Sequence, residues 1–97
     1  MQYNFEWDPA KAKTNFQKHK ISFERASEIF FDPFMLSIFD DAHSENEDRW
    51  ITIGKDRNDI TLVAIHTFRE LDKNNFSIRI ISARRATKKE DKQYNLR

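Results

Sequence analysis

The chain contains no cysteine, so neither a disulfide framework nor a thiolate metal site can be built from it. Leucine and valine are scarce, whereas nine of the 97 residues are Phe and two are Trp. The expected core is therefore made of Phe, Ile and Trp. No apolar run approaches the length of a membrane span, and no signal peptide is visible. The three histidines, His19, His43 and His66, are far apart and form no i, i+4 pair, which argues against a dedicated metal site. Repeats, low-complexity tracts and interdomain linkers are also lacking. What is left is a single domain over residues 1–97, with the cytoplasm as the expected compartment and no membrane partner.

An excess of charge of one sign is missing too, since the net charge is +1. That balance hides two polarised halves. Residues 1–48 carry five Lys/Arg against ten Asp/Glu, a balance of −5, and residues 49–97 carry twelve against six, a balance of +6. Such a division points to a partner that reads charge, unless the fold mixes the two halves on one surface.

Local signals divide the chain cleanly. Tyr3, Phe5 and Trp7 alternate with polar neighbours over residues 2–7, the period of a strand. Asp8-Pro9 reads as an N-cap with proline at the first helical position, opening a helix that runs to about Lys20. Ser22 can cap a second helix, with Phe23, Ala26 and Phe30 on one stripe, until Asp32-Pro33 stops it near Phe31. Strands are expected at Met35–Asp40, Arg49–Lys55, Ile60–Arg69 and Phe76–Ala83. The acidic segment Asp41–Asp48 and the turns Asp56–Asp59 and Glu70–Asn75 separate them. Ile60–Arg69 is apolar on both faces near its middle and is expected to be central in the sheet. Thr87 and Glu90 form a capping box for a short terminal helix. The order β-α-α-β-β-β-β-α predicts an α+β fold, a small antiparallel sheet with helices packed on it.

The last third is chemically the richest. Arg79, Arg84 and Arg85 lie on or at the end of a strand, and Lys88, Lys89, Lys92 and Tyr94 follow on the helix. A strand end holds guanidinium groups rigidly, and this set suits a polyphosphate ligand, RNA foremost.

Laid out this way, the chain closely resembles the BrnT family of type II toxins over nearly its whole length. The resemblance is carried by Phe5-Glu6-Trp7-Asp8-Pro9-Ala10-Lys11, Asn15, Lys18-His19-Lys20, Ile21-Ser22-Phe23-Glu24 and Ala26. It continues through Phe30-Phe31-Asp32-Pro33, Asp48-Arg49-Trp50, Ile53-Gly54, the run from Ile78 to Thr87, Glu90 and Tyr94. It implies a RelE-like fold and an endoribonuclease that inhibits translation. It also implies a cognate BrnA-type antitoxin, held in a heterotetramer with two copies of each chain, and contact with operator DNA only through that antitoxin. No cofactor and no metal are implied. Lys20 stands where many members have Gly, at a helix end suited to a left-handed cap. The turn Leu71–Asn75 looks longer and more polar than in compact members.

Metal-free RNA cleavage needs a proton acceptor for the 2′-OH, in-line attack, donors for the charge gained by the phosphate, and a proton for the leaving 5′-oxygen. Arg79, set among Ile78, Ile80 and Ile81, is the first candidate phosphate ligand; the plainer reading is a salt bridge. Arg84 and Arg85 point to opposite faces of a continuing strand, so one of them faces the cleft or both anchor the terminal helix. His19, between two lysines, is a candidate general base or a helix-end histidine meeting exposed carbonyls. Arg49 is a further phosphate contact or the partner of Asp48 or Glu47. Lys88, Lys89 and Lys92 are candidate RNA contacts. Tyr94 either stacks on a base or packs the last helix. Glu90 is read as a cap, His66 as a core or rim residue, His43 as a loop residue, and Trp7 and Trp50 as core. The acidic loop is a solvated hairpin tip or a phosphate mimic. A non-catalytic nucleic-acid or protein binding module, acting as a corepressor with a partner, is the competing function.

Overall fold

In the computed structural model, which describes residues 2–44 and 47–96, the strands are β1 (Gln2–Glu6), β2 (Leu36–Phe39), β3 (Arg49–Lys55), β4 (Thr61–Asp72) and β5 (Asn75–Arg85). The helices are α1 (Pro9–His19), α2 (Phe23–Ser27) and α3 (Lys88–Asn95). The strands form one sheet in the order β1-β5-β4-β3-β2, with β4 central as its two-sided hydrophobicity requires. β2 to β5 make an antiparallel meander, but β1 pairs with β5 in parallel. The sheet is therefore mixed, not antiparallel throughout. Side-chain alternation fixes which face a residue takes and carries no information on strand direction, so the parallel pair was not readable from it.

Two local expectations also change. The second helix is split: α2 ends at Ser27 and a 3-10 turn, Glu28–Phe31, continues the chain. The hairpin between β4 and β5 is tighter than the polar run suggested, with only Lys73 and Asn74 between the strands. Asp72 makes this possible, because its carboxylate accepts from the Asn74 N–H at 3.1 Å and from the Asn75 amide at 2.8 Å.

α1 begins as the sequence dictates, with the Asp8 carboxylate accepting from the Ala10 N–H at 2.8 Å and Pro9 opening the first turn. It ends on Lys20 in the left-handed region, φ 61°. Asn15, buried on α1, then does what a strand would do. Its side-chain oxygen accepts from the Ala83 N–H at 3.1 Å, and its amide donates to the Ala83 carbonyl at 2.8 Å and the Ile21 carbonyl at 3.1 Å. The pairing of β1 with β5 stops at Glu6 and Arg79, so Asn15 satisfies backbone groups of β5 beyond the end of β1.

α1, α2 and the 3-10 turn pack on one face of the sheet. Ile21, Phe23, Ala26, Ile29 and Phe30 bury Leu62, Ala64, Ile78, Ile80 and Ala83 there, with Tyr3, Phe5 and Trp7 alongside. Trp7 and Trp50 are only half-buried: the first packs edge-on to Phe23, the second edge-on to Phe39. The single glycine allows the closest approach. A Cβ on Gly54 would stand 3.1 Å from both Cβ and the carbonyl oxygen of Ile29, so the 3-10 turn can sit directly on β3.

The other face is covered at one end only. There α3 lays Tyr94 against Ile53 and Val63, with Leu36, Ile51 and Ala86 around it. The rest of that face is open.

Candidate active site

Strand pairing arranges the open face in cross-strand rows. Leu36, Ile53, Val63 and Arg84 form the row beneath α3. Ile38, Ile51, Ile65 and Ser82 form the next. The row after that is Arg49, Thr67, Arg79 and Glu6. Two guanidiniums thus flank one threonine on three adjacent strands, projecting from the same side of the sheet. Arg79 and Arg84 are five positions apart, so plain alternation would put them on opposite faces. A bulge corrects this: His66 pairs with Ile80 and Ile65 with Ser82, leaving Ile81 as an extra residue. Arg79 and Arg84 consequently share the open face, and Arg85 falls on the other.

The arginine row is already in contact with a carboxylate. Glu47, at the end of the acidic loop, bridges Arg79 Nη2 with one oxygen and Arg49 Nη2, 3.6 Å away, with the other. The backbone N–H of Arg49 donates to Ser44 Oγ at 3.0 Å. Among the described residues Arg49 Nε is buried and has no acceptor, a donor stripped of water without replacement. The expected site residues Arg79 and Arg49 therefore come together, and the loop Asp41–Asp48 closes over them with Glu47; Glu45 and Asn46 of that loop lie outside the described residues.

Arg84 is committed elsewhere. Its fork donates to both oxygens of Glu90, at 2.7 and 2.9 Å. Glu90 also accepts from the Thr87 N–H at 2.9 Å, completing the capping box. The Arg84 hydrogen bonds, joined by the Thr87 N–H, hold the Glu90 carboxyl down at about 2, and the same contact raises the guanidinium's pKa. Arg85 is exposed, on the same side as Leu62, in a shallow depression with Lys88 and Asp91. Lys88, Lys89 and Lys92 are exposed on α3. Tyr94 is 8% exposed, with its hydroxyl donating to Asp32 at 2.5 Å and Lys55 above its ring. Its ring is thus spent on anchoring α3 and offers no open face for a base.

His19 is half-buried at the end of α1, in a groove with Lys18, Ile81 and Ser82. It therefore stands at the β5 border of the open face. His43 is exposed and paired with Asp40 at 3.1 Å. His66 is on the helix-covered face. Its Nδ1–H donates to the Thr67 carbonyl at 2.9 Å, so in the neutral ring Nε2 accepts from Thr52, 2.6 Å away. Ser37 completes the chain at 2.8 Å from Thr52. Burial pushes the His66 pKa down to about 4, leaving a neutral, fully bonded core residue.

In the sequence Glu47 stands out as a partner of Arg49 and within an acidic loop able to mimic phosphate, whereas nothing there singles out Thr67 or Ser82. The parity of Thr67 with Ile65 and Val63 was visible in the sequence, but its place between two arginines depends on register with β3 and β5.

Against known proteins, residues 7–90 match the family described as the ribonuclease toxin, BrnT, of type II toxin–antitoxin systems. The fold is similar to the 1.1 Å crystal structure of the Brucella abortus ribonuclease toxin BrnT. That match has a TM-score of 0.57 and 24% identity, and covers 91% of this chain and all of the other. No curated relative matches the chain. A family match over most of the sequence, on a sheet of the same architecture, establishes that this chain belongs to the BrnT family of ribonuclease toxins of type II toxin–antitoxin systems.

Proposed function

We propose that the chain is a metal-independent endoribonuclease that cuts RNA on the open face of the sheet and thereby stops translation. The observation that carries this is the row Arg49–Thr67–Arg79. Two guanidiniums on the rigid strands either side of β4 can each present paired N–H donors to phosphate oxygens, and neither deprotonates. Negative charge gathers on those oxygens as the 2′-oxygen attacks, so fixed cations there stabilise the transition state more than the ground state. The apolar row behind them, Ile38, Ile51 and Ile65, limits water and strengthens that attraction.

Lys88, Lys89 and Lys92, with Arg85 beside them, extend the positive surface from the far end of β5 and guide the RNA backbone electrostatically. His19, at the border beside Ser82, is the histidine positioned to exchange protons with the substrate. A cognate BrnA-type antitoxin neutralises the toxin in a two-plus-two assembly, and operator DNA is reached only through that partner. The chain works in the cytoplasm, where its substrate is.

The test is purified toxin and RNA in the presence of a chelator, with cleavage mapped by primer extension. New 5′ ends, lost in Arg79→Ala and suppressed by the product of the neighbouring small reading frame, support the proposal. Salt-sensitive RNA binding without scission would replace it with the corepressor reading.

A further inference from the structure

The chemistry on the open face lacks one assigned group, the acceptor of the 2′-hydroxyl proton. Most titratable side chains are excluded by position. His66 is buried on the opposite face and already has both nitrogens bonded. His43 is exposed, and its Nδ1 is engaged by Asp40 rather than by either arginine of the row. Glu90 is held by both nitrogens of the Arg84 fork and by the Thr87 N–H. Glu6 shares the row but sits on the edge strand, where the Ser77 hydroxyl approaches it at 3.5 Å. Glu47 is different. Its carboxylate touches both arginines of the row, one through each oxygen, and it remains 37% exposed toward solvent.

Building on the phosphate role of Arg49 and Arg79, we propose that Glu47 is the general base of the cleavage reaction, activated when the scissile phosphate takes over its arginine contacts. In the free protein each Glu47 carboxylate oxygen lies against a guanidinium and is not open to a substrate hydroxyl. An arriving phosphodiester competes for the same donors. Arg49 Nε, buried without an acceptor among the described residues, gains one in the exchange. Glu47 is then released from both arginines, and its oxygens are open to accept the 2′-hydroxyl proton. The base is thus masked until substrate is present. The step balances simply. The 2′-O–H bond breaks and its proton passes to a Glu47 carboxylate oxygen. The 2′-oxygen bonds to phosphorus, the bond from phosphorus to the 5′-oxygen breaks, and that oxygen takes a proton through His19, which regains it from solvent. The products are a 2′,3′-cyclic phosphate and a 5′-hydroxyl, and Glu47 returns its proton to water.

A base that also occupies the anion site makes an unusual pair of demands on one substitution. Glu47→Gln keeps the size and removes the proton acceptor and the charge. RNA binding, measured by fluorescence anisotropy with a labelled oligonucleotide carrying a 2′-deoxy block at the cleavage site, is expected to be as tight as in the parent or several-fold tighter. Single-turnover cleavage of the unblocked oligonucleotide is expected to fall about a hundredfold or more. Glu47→Asp, which retains a carboxylate at shorter reach, should recover part of the rate. Cleavage by Glu47→Gln within tenfold of the parent would overturn the proposal; with tighter binding it would make Glu47 a plug, and with loss in His19→Ala instead it would make the histidine the base. Weakened binding with an unchanged melting temperature would overturn it as well. A parent protein that cuts no RNA, or an Arg79→Ala variant that cuts normally, would instead refute the phosphate site on which the inference stands.

Discussion

The two faces of the sheet treat their polar groups in opposite ways. On the helix-covered face every buried polar side chain among the described residues has found its partners. Asn15 makes three hydrogen bonds to backbone, and His66, Thr52 and Ser37 form a closed chain. On the open face, among the described residues, a buried arginine nitrogen has no acceptor, and two guanidiniums share one carboxylate. The same division separates the arginines of the open face itself. Arg84 is fully engaged by a carboxylate fixed in a helix cap, whereas Arg79 is held by a loop residue. Satisfied polar groups specify a fold, and unsatisfied ones mark where a ligand belongs.

If that contrast is right, substitutions on the two faces should fail in different assays. Arg79→Ala is expected to lower RNA cleavage by 10²–10³-fold, the usual range for losing one transition-state donor, with its melting temperature close to the parent's. A large loss of thermal stability would instead place Arg79 among the structural arginines. Asn15→Ala should do the reverse. It strands two groups of Ala83 and one of Ile21, which should cost about 3 kcal/mol and lower the melting temperature by more than about 10 °C. Normal thermal stability in that variant would show that water replaces the amide.

The covered face also carries a pH signature. Folded His66 has its pKa depressed from 6.5 to about 4, so the unfolded chain binds more protons between those values. Its contribution is present above about pH 6.5 and is lost as pH falls toward 4, about 3 kcal/mol in all. Glu90, lowered from 4.5 to about 2, removes a further, solvent-screened contribution as pH drops through that lower window. Chemical denaturation at intervals from pH 7 to 3 should resolve both, and His66→Gln should flatten the upper part. Glu90→Gln should cost on the order of 1 kcal/mol, since the pair is partly exposed and the cap is one of several anchors of α3. Hydrogen exchange should show the loss concentrated in α3. The smallest effect is a gain: Lys20→Gly relieves a left-handed residue and should stabilise by about 0.5–1 kcal/mol. A loss there would mean that the Lys20 side chain makes contacts worth more than the strain.

Sequence by itself determined whatever depends on neighbours along the chain. Asp8-Pro9 opens α1, Thr87 and Glu90 cap α3, Lys20 sits where a left-handed cap is needed, and the alternation of Ile51 and Ile53 with Trp50 and Thr52 sorts β3 between two faces. These are signals of one to four residues, and the backbone answers them locally. Tertiary structure alone decided that β1 joins β5 in parallel, that a bulge at Ile81 turns Arg84 to the side of Arg79, and that Arg49 arrives two strands away in the same row. It also decided that Glu47 closes over both arginines. Register between strands is set by the packing of the whole sheet and by where an extra residue is accommodated, and a single residue of slip reverses every side chain beyond it. The candidate phosphate ligands were therefore visible one by one in the sequence, while the site they make exists only after folding.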